Sequence, residues 1–223
     1  MSELALVIAN KNYSSWSMRA WVLLREARIP FREIQLKFDA AAGIPGVERY
    51  SPSGQVPVLL VDGEPVWDSI AICEAVAELY PQRRIWPLEA AARRRARSIC
   101  AEMHSGFRAL RSAMPMNIRS SHPGKGMNDA VRADIARIVS AWQDCRTRYG
   151  AGGELLFGAF GAADAMFAPV VMRFATYAVE LPAQAQAYAD SVRRLESVRE
   201  WAQGARAETE FVRADEPYAQ APS

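Results

Sequence analysis

Cysteine and histidine are scarce in this chain, with three cysteines and two histidines in 223 residues. Cys73, Cys100 and Cys145 lie far apart and are odd in number, so they supply neither a disulfide framework nor a Cys-x-x-Cys redox motif. With only His104 and His122 beside them, no plausible zinc ligand set can be assembled, and no metal is expected. An excess of one charge is missing as well. Lys and Arg number 27 against 25 Asp and Glu, a net charge of +2, which excludes a chain whose main work is neutralising nucleic-acid phosphates. Long apolar runs are absent. Leu4–Ala9 is followed at once by Asn10-Lys11-Asn12, short of the roughly 7–15 residues of a secretory core and the ~20 of a membrane span. The expectation is a reducing, cytosolic compartment, with no nucleic-acid or membrane partner.

Half of the residues are hydrophobic and 23% are charged, enough for a core that needs no cross-links. The first 80 or so residues carry strand signals. Leu4–Ala9 reads as a buried strand, Met18–Arg28 as a helix stopped before Pro30, and Ile34, Leu36 and Phe38 as an alternating second strand. The stretch 40–55, with its glycines and prolines, reads as loop. Val58–Val61 and Pro65–Trp67 flank Asp62-Gly63, a type I′ hairpin signal. Asp68-Ser69 opens a helix to about Tyr80. The order β-α-β-loop-β-β-α predicts a parallel pair extended by antiparallel strands.

After Pro81 and Pro87 the strand signals vanish. Helices are expected over 90–114, from Val131 past Trp142, over Asp164–Ala178 and over Ala183–Trp201, with a frayed tail from Asp215. This gives an α/β domain over 1–81 and an all-α domain over 88–215. The cluster Arg93-Arg94-Arg95-Arg97 suits either an anion site or a solvated helix face.

Three segments could carry chemistry. Asn12-Tyr13-Ser14-Ser15-Trp16-Ser17-Met18-Arg19 sits between the first strand and first helix, where backbone N–H groups and the helix dipole favour an anion such as a thiolate. One of its serines also suits a helix cap. In Gln55-Val56-Pro57-Val58, a cis Val56–Pro57 bond would leave the Val56 backbone free to pair with an extended, peptide-like ligand; an ordinary trans proline at a strand start is the alternative. Asp68 or Ser69 caps the next helix, whose first N–H groups could also hold a carboxylate.

Together, in this order, these segments resemble the glutathione transferase family over nearly the whole chain. Ser14-Ser15-Trp16-Ser17-Met18-Arg19 is similar to the Ser-Ser-x-Ser-x-Arg motif of zeta-like transferases, which include maleylacetoacetate isomerases. Gln55-Val56-Pro57 is similar to the family's Gln-Val-Pro segment, and Asp68-Ser69 to its acidic-Ser pair. The resemblance implies a thioredoxin-like N-terminal domain followed by an all-helical domain. It implies glutathione as co-substrate or coenzyme, a small electrophile as second substrate, and a homodimer. Ser14 would contact the glutathione sulfur, with Ser15 sharing or replacing it and Tyr13 as a minor candidate. Val56 would pair with the cysteinyl unit, with Gln55 and Pro57 alongside, and Asp68 and Ser69 would hold the γ-glutamyl end. Thiolate attack on an electrophile is the implied activity. A glutathione-dependent cis–trans isomerase and a non-catalytic interaction protein are the alternatives.

In the helical half, Leu156-Phe157-Gly158 through Asp164 resembles the family's capping segment, with Gly161 where the family has Ser or Thr. Asp164 is read as structural. His104, Phe107, Arg108 and Arg111 on the first long helix are the second-substrate candidates. Zeta-type isomerases also use an arginine on the helix after the capping aspartate. That position falls near Thr176, with Arg173 about one turn earlier.

Overall fold

The computed structural model describes residues 2–39 and 43–219. The expected loop over 40–55 thus lies outside the described residues at 40–42, as does the end of the expected frayed tail at 220–223. Four strands form one sheet in the order β2-β1-β3-β4: β1 Leu4–Ile8, β2 Arg32–Gln35, β3 Val58–Val61 and β4 Glu64–Val66. β1 pairs parallel with β2 and antiparallel with β3, and β3 pairs antiparallel with β4. All of β1 is buried, as an uninterrupted apolar strand in the middle of a covered sheet should be. The β3–β4 turn has Asp62 at φ 51° and Gly63 at φ 90°, the two left-handed residues a type I′ turn requires.

Helix α1, Ser15–Glu26, starts earlier than the expected Met18. Ser14 does not precede it by several residues but is its N-cap, accepting the Ser17 N–H at 3.4 Å. α2, Ser69–Leu79, is capped by Asp68, whose Oδ1 accepts the Ile70 N–H at 3.1 Å.

The long helix expected over 90–114 is two: α3 Ala90–Ser105 and α4 Arg108–Ala113. The chain breaks because Phe107 is left-handed at φ 57°. A Cβ on Gly106 would also stand 2.7 Å from the Glu102 carbonyl oxygen. Arg111 then folds back and donates to the carbonyls of Gly106 at 2.9 Å, His104 at 3.2 Å, and Met103, closing the exposed end of α3. Three of the four arginines on α3 are spent on structure and Arg94 is exposed: Arg93 donates to the Pro87 and Leu88 carbonyls, Arg97 forks onto Glu74, and Arg95 pairs with Asp144.

α5 is Asp129–Tyr149 and α6 is Ala162–Thr176. The single helix expected over 183–201 is also two, α7 Ala183–Arg194 and α8 Glu196–Ala207. Leu195 is extended between them, and Glu26 of α1 reaches across to accept the Ser197 N–H at 3.2 Å. The tail from Asp215 is not frayed over its described part. Glu216 is buried, and Tyr218 Oη donates to the Ala113 carbonyl at 2.7 Å. Among the described residues, no helix is long and apolar enough to cross a membrane.

α6 is buried along nearly its whole length and packs against both α1 and α3. Its start is fixed by Asp164, whose carboxylate accepts N–H groups of Leu156 at 3.1 Å and Gly161 at 3.0 Å. Burial outweighs these bonds and pushes its pKa up to about 6 from 3.8. Asp164→Ala should cost about 1.5–3 kcal/mol in urea unfolding, because charged hydrogen bonds are lost and two N–H groups are stranded. Unfolded chains release this proton near pH 3.8 and folded ones near 6, so the group's contribution to stability falls as pH rises between those values. The stability gap between wild type and variant should therefore narrow across that window.

Candidate functional site

The start of α1, the segment before β3 and the start of α2 all come to one end of the sheet, where β1 finishes and the antiparallel β3 begins. A cleft of about 270 Å³ lies there, lined by Trp16, Ser53, Gln55, Val56, Pro57, Trp67, Asp68 and His104. The Val56–Pro57 peptide bond is cis, as one of the two readings anticipated. Pro57 interrupts the ladder, and no described residue pairs with the Val56 backbone N–H or C=O. The preceding turn is held by Ser51, whose hydroxyl accepts the Gln55 N–H at 3.1 Å.

Asp68 is exposed at the cleft and meets His104 from α3, with Nε2 to Oδ2 at 3.1 Å. His104 packs edge-on against Trp16, ring centroids 5.2 Å apart. Ser69 lies just beneath; its Oγ is buried without a partner, and so is His104 Nδ1. Unpaired buried polar atoms are costly, and these two lie next to the cleft, where a bound group could satisfy them.

Ser14 and Ser15 are nearly buried, 4% and 6% exposed, and do not themselves line the cleft, whose wall at this point is Trp16. Their hydroxyls differ. Ser14 Oγ donates to Ser17 Oγ at 2.7 Å, which also accepts the Ala9 N–H at 3.1 Å, so the Ser14 proton is committed to the turn. Ser15 Oγ accepts from Arg173 Nη2 at 3.0 Å, and its own proton has no acceptor among the described residues. The Trp16 N–H at the positive end of α1 is unpaired as well. Tyr13 is turned away: Arg119 donates to its oxygen at 2.8 Å, and Glu216 Oε1 lies 2.8 Å away as acceptor. Burial and that carboxylate raise its pKa, so it holds its proton.

Three guanidinium groups converge behind the cleft. Arg19 lies over the Trp16 ring at 4.3 Å and Arg111 at 4.8 Å, while Arg173 joins Ser15 to the Met114 carbonyl. None of the ion pairs among the described residues involves any of the three. Arg19 is 1% exposed, and its Nε and Nη1 have no hydrogen-bond acceptor. Burial, then repulsion from Arg111 and Arg173, pushes its pKa down to about 9, and Arg173 falls to about 10 by burial and the same repulsion from Arg111. Guanidinium gives up its proton very reluctantly, so this arrangement favours recruitment of an anion.

Of the second-substrate candidates, His104 reaches the cleft. The helix break separates the rest: Phe107 is buried, Arg108 is exposed, and Arg111 is turned toward α3 carbonyls and Trp16. Arg173 contacts Ser15, whereas the Thr176 hydroxyl donates to main-chain carbonyls. All three cysteines are buried. Desolvation lifts Cys73 and Cys145 to about 12 and Cys100 upward too, which suits inert core thiols. Among the described residues, no group of His, Cys, Asp and Glu could hold a metal ion.

Sequence reading missed Arg119, Glu208 and Glu216, which hold the loop before Ser14 from more than a hundred residues away; no local pattern marks them.

Residues 13–79 match the family "Glutathione S-transferase, N-terminal domain". A probable maleylacetoacetate isomerase of Caenorhabditis elegans is 27% identical over 96 residues, covering 43% of this chain and 44% of that protein. The chain thus matches less than half the length of that relative. A glutathione transferase homolog from Burkholderia gl BGR1, solved with bound glutathione, shares the fold with a TM-score of 0.70 at 22% identity, over 92% of this chain and 100% of that one. Glutathione transferase Omega 2S from Trametes versicolor, solved with 2,4-dihydroxybenzophenone, gives 0.69 at 19% identity, over 90% and 94%.

The arginine cluster predicts that a small dicarboxylate such as malonate raises the melting temperature more than sodium chloride of equal ionic strength. One-site binding at a hundred times Kd stabilises by about 2.7 kcal/mol. Arg173→Met should abolish the difference; an equal shift in both proteins would assign it to non-specific salt effects.

Proposed function

As the carrier of a glutathione S-transferase N-terminal domain within a glutathione transferase fold, this protein is, we propose, a serine-type glutathione transferase that acts on a small electrophile. The observation that carries the reading is the unpaired Val56 backbone beside cis Pro57, in a cleft that ends at Asp68 and Ser69. Glutathione offers complementary groups: a peptide unit for Val56, a γ-glutamyl amine for Asp68, and a carboxylate for the Ser69 hydroxyl and the start of α2. Gln55 and Pro57 form the adjoining wall.

When bound, glutathione supplies a sulfur nucleophile. Its thiol pKa near 8.5 leaves only a few per cent thiolate at neutral pH, and lowering it by two units takes about 2.7 kcal/mol of preferential anion stabilisation. Ser15 is suited to provide part of that. Its proton is free to point at sulfur, and the Arg173 N–H on its oxygen makes the hydroxyl a stronger donor. The Trp16 N–H and the α1 dipole add to the same field. Ser14 holds the first turn closed behind it.

A glutathione-dependent cis–trans isomerase of the maleylacetoacetate isomerase type is the second reading. It is favoured by the unpaired Arg19, Arg111 and Arg173 group, which suits a carboxylate-bearing substrate, and by the partial similarity to the Caenorhabditis elegans relative. A homodimer and a cytosolic location belong to the same proposal, drawn from the family resemblance.

Calorimetry tests the reading. Folded wild type should release heat on titration to millimolar glutathione, and S-methylglutathione should bind as well; no heat with either rejects it. Ser69→Ala should weaken binding by about 0.5–1.5 kcal/mol, and unchanged affinity would move the γ-glutamyl site elsewhere. Light scattering should give twice the chain mass, and a monomer mass at micromolar concentration would contradict the dimer.

A further inference from the structure

The segment after α8 crosses the molecule to the loop that precedes Ser14. Glu208 is the first anchor. Its side chain is almost fully buried, and its two carboxylate oxygens accept the backbone N–H groups of Lys11 at 2.8 Å and Asn12 at 3.0 Å. Gln35 Nε2 donates to the same carboxylate at 2.6 Å, and Lys37 Nζ stands 3.3 Å from it. Arg119 is the second anchor. It donates to the main-chain carbonyls of Glu208 and, at 2.6 Å, Glu210, and to Tyr13 Oη at 2.8 Å, while its own N–H donates to Asn12 Oδ1 at 2.9 Å. Glu216 is the third, accepting the Tyr13 hydroxyl in a buried contact.

The loop is also tied through Trp201 Nε1 to the Lys11 carbonyl at 2.9 Å, Asn12 Nδ2 to Asn117 Oδ1 at 2.9 Å and the Phe38 N–H to Asn10 Oδ1 at 2.7 Å, but none of these satisfies the Lys11 and Asn12 N–H groups. It lies between the end of β1 and the start of α1 and belongs to neither ladder nor helix. Its local bonds are the turn contacts of the Tyr13 and Ser14 N–H groups to the Asn10 carbonyl. The Lys11 and Asn12 N–H groups would be stranded without the Glu208 carboxylate. Two consecutive N–H groups on one carboxylate form a charge-assisted, two-point clamp, and that clamp sets where the chain enters α1. Three residues later the chain presents Ser15.

We propose that Glu208 and Arg119, through the C-terminal segment, are positioning residues for the Ser15 hydroxyl and hence for thiol activation. This rests on the glutathione reading above. Neither side chain touches the cleft, so each acts only through the placement of the loop. Among the described residues, no hydrogen bond joins the Val56–Pro57 stretch before β3 or the start of α2 to this segment. Loss of the clamp should therefore leave ligand affinity in place and degrade only the chemistry at sulfur.

The test uses the full-length protein with Glu208→Gln and Arg119→Ala. Glu208→Gln keeps size and one acceptor, while its amide now faces one of the two N–H groups. Three quantities are read: glutathione affinity by calorimetry, the pH midpoint of the bound thiolate by ultraviolet absorbance, and kcat with an aryl-halide electrophile. Glutathione affinity should stay within about two-fold. The thiolate midpoint should rise by about one pH unit, a ten-fold change in the ionisation constant, and kcat should fall about ten-fold or more, since small misplacements of an activating group cost up to about a hundred-fold. Amide exchange at 11–17 should rise while β1 and α6 stay protected. An unchanged midpoint and kcat with only a lower melting temperature would overturn the proposal and leave the segment a purely structural strap. Affinity lost in proportion to kcat would overturn it too. If wild type binds no glutathione, the functional reading fails, and this proposal with it. That outcome is read before any variant is made, so the two failures are distinguishable.

Discussion

The contact between α1 and α6 is the constraint on which the rest depends. α1 carries the hydroxyl loop at its N-terminus and buries nine of its residues, Ser15 and Arg19 among them. α6 is buried almost throughout and belongs to the helical half. Where the two meet, Arg173 of α6 donates to Ser15 of α1. The sheet-bearing half and the helical half thus meet at Ser15, and under the proposed glutathione reading that hydrogen bond is where binding geometry would become chemical reactivity.

Several polar groups around the site are buried without partners, as are others away from it such as Trp142 Nε1 and Ser197 Oγ. Arg19 lacks acceptors, Ser69 Oγ and His104 Nδ1 lack partners, and Val56 lacks ladder bonds. A stable fold tolerates such groups only in small number. Under the glutathione reading, those at Val56 and Ser69, together with Asp68, would be the groups that an extended anionic peptide meets. Trp16, bracketed by two guanidiniums and the His104 ring, separates part of the arginine cluster from the open cleft.

The legible parts of the sequence were those with local causes. The Asp62-Gly63 turn, the Asp68 cap, the buried β1 and the Asp164 cap each follow from a residue whose conformational or hydrogen-bonding preference acts within a few positions. The helix breaks were not legible in this way. Gly106 and Leu195 each interrupt an apolar stripe that runs on across them, and the breaks are held by Arg111 folding back and by Glu26 reaching from α1. The motif serines illustrate the same limit. Ser14 and Ser15 are equivalent in a pattern, and only the tertiary partners Ser17 and Arg173 distinguish one committed proton from one free proton. The loop's clamp by Glu208 has a sequence separation of 197 residues, and nothing near either end announces it.

The central claim is that the protein lowers the pKa of a bound thiol through Ser15 and the N-terminus of α1. It is tested most directly by titrating the ultraviolet thiolate signal of the glutathione complex in wild type, Ser14→Ala and Ser15→Ala. A wild-type midpoint about two units below the free-thiol value of ~8.5, raised by Ser15→Ala and little moved by Ser14→Ala, is the predicted result. A wild-type midpoint at the free-thiol value, or one that Ser14→Ala moves and Ser15→Ala does not, would contradict the account.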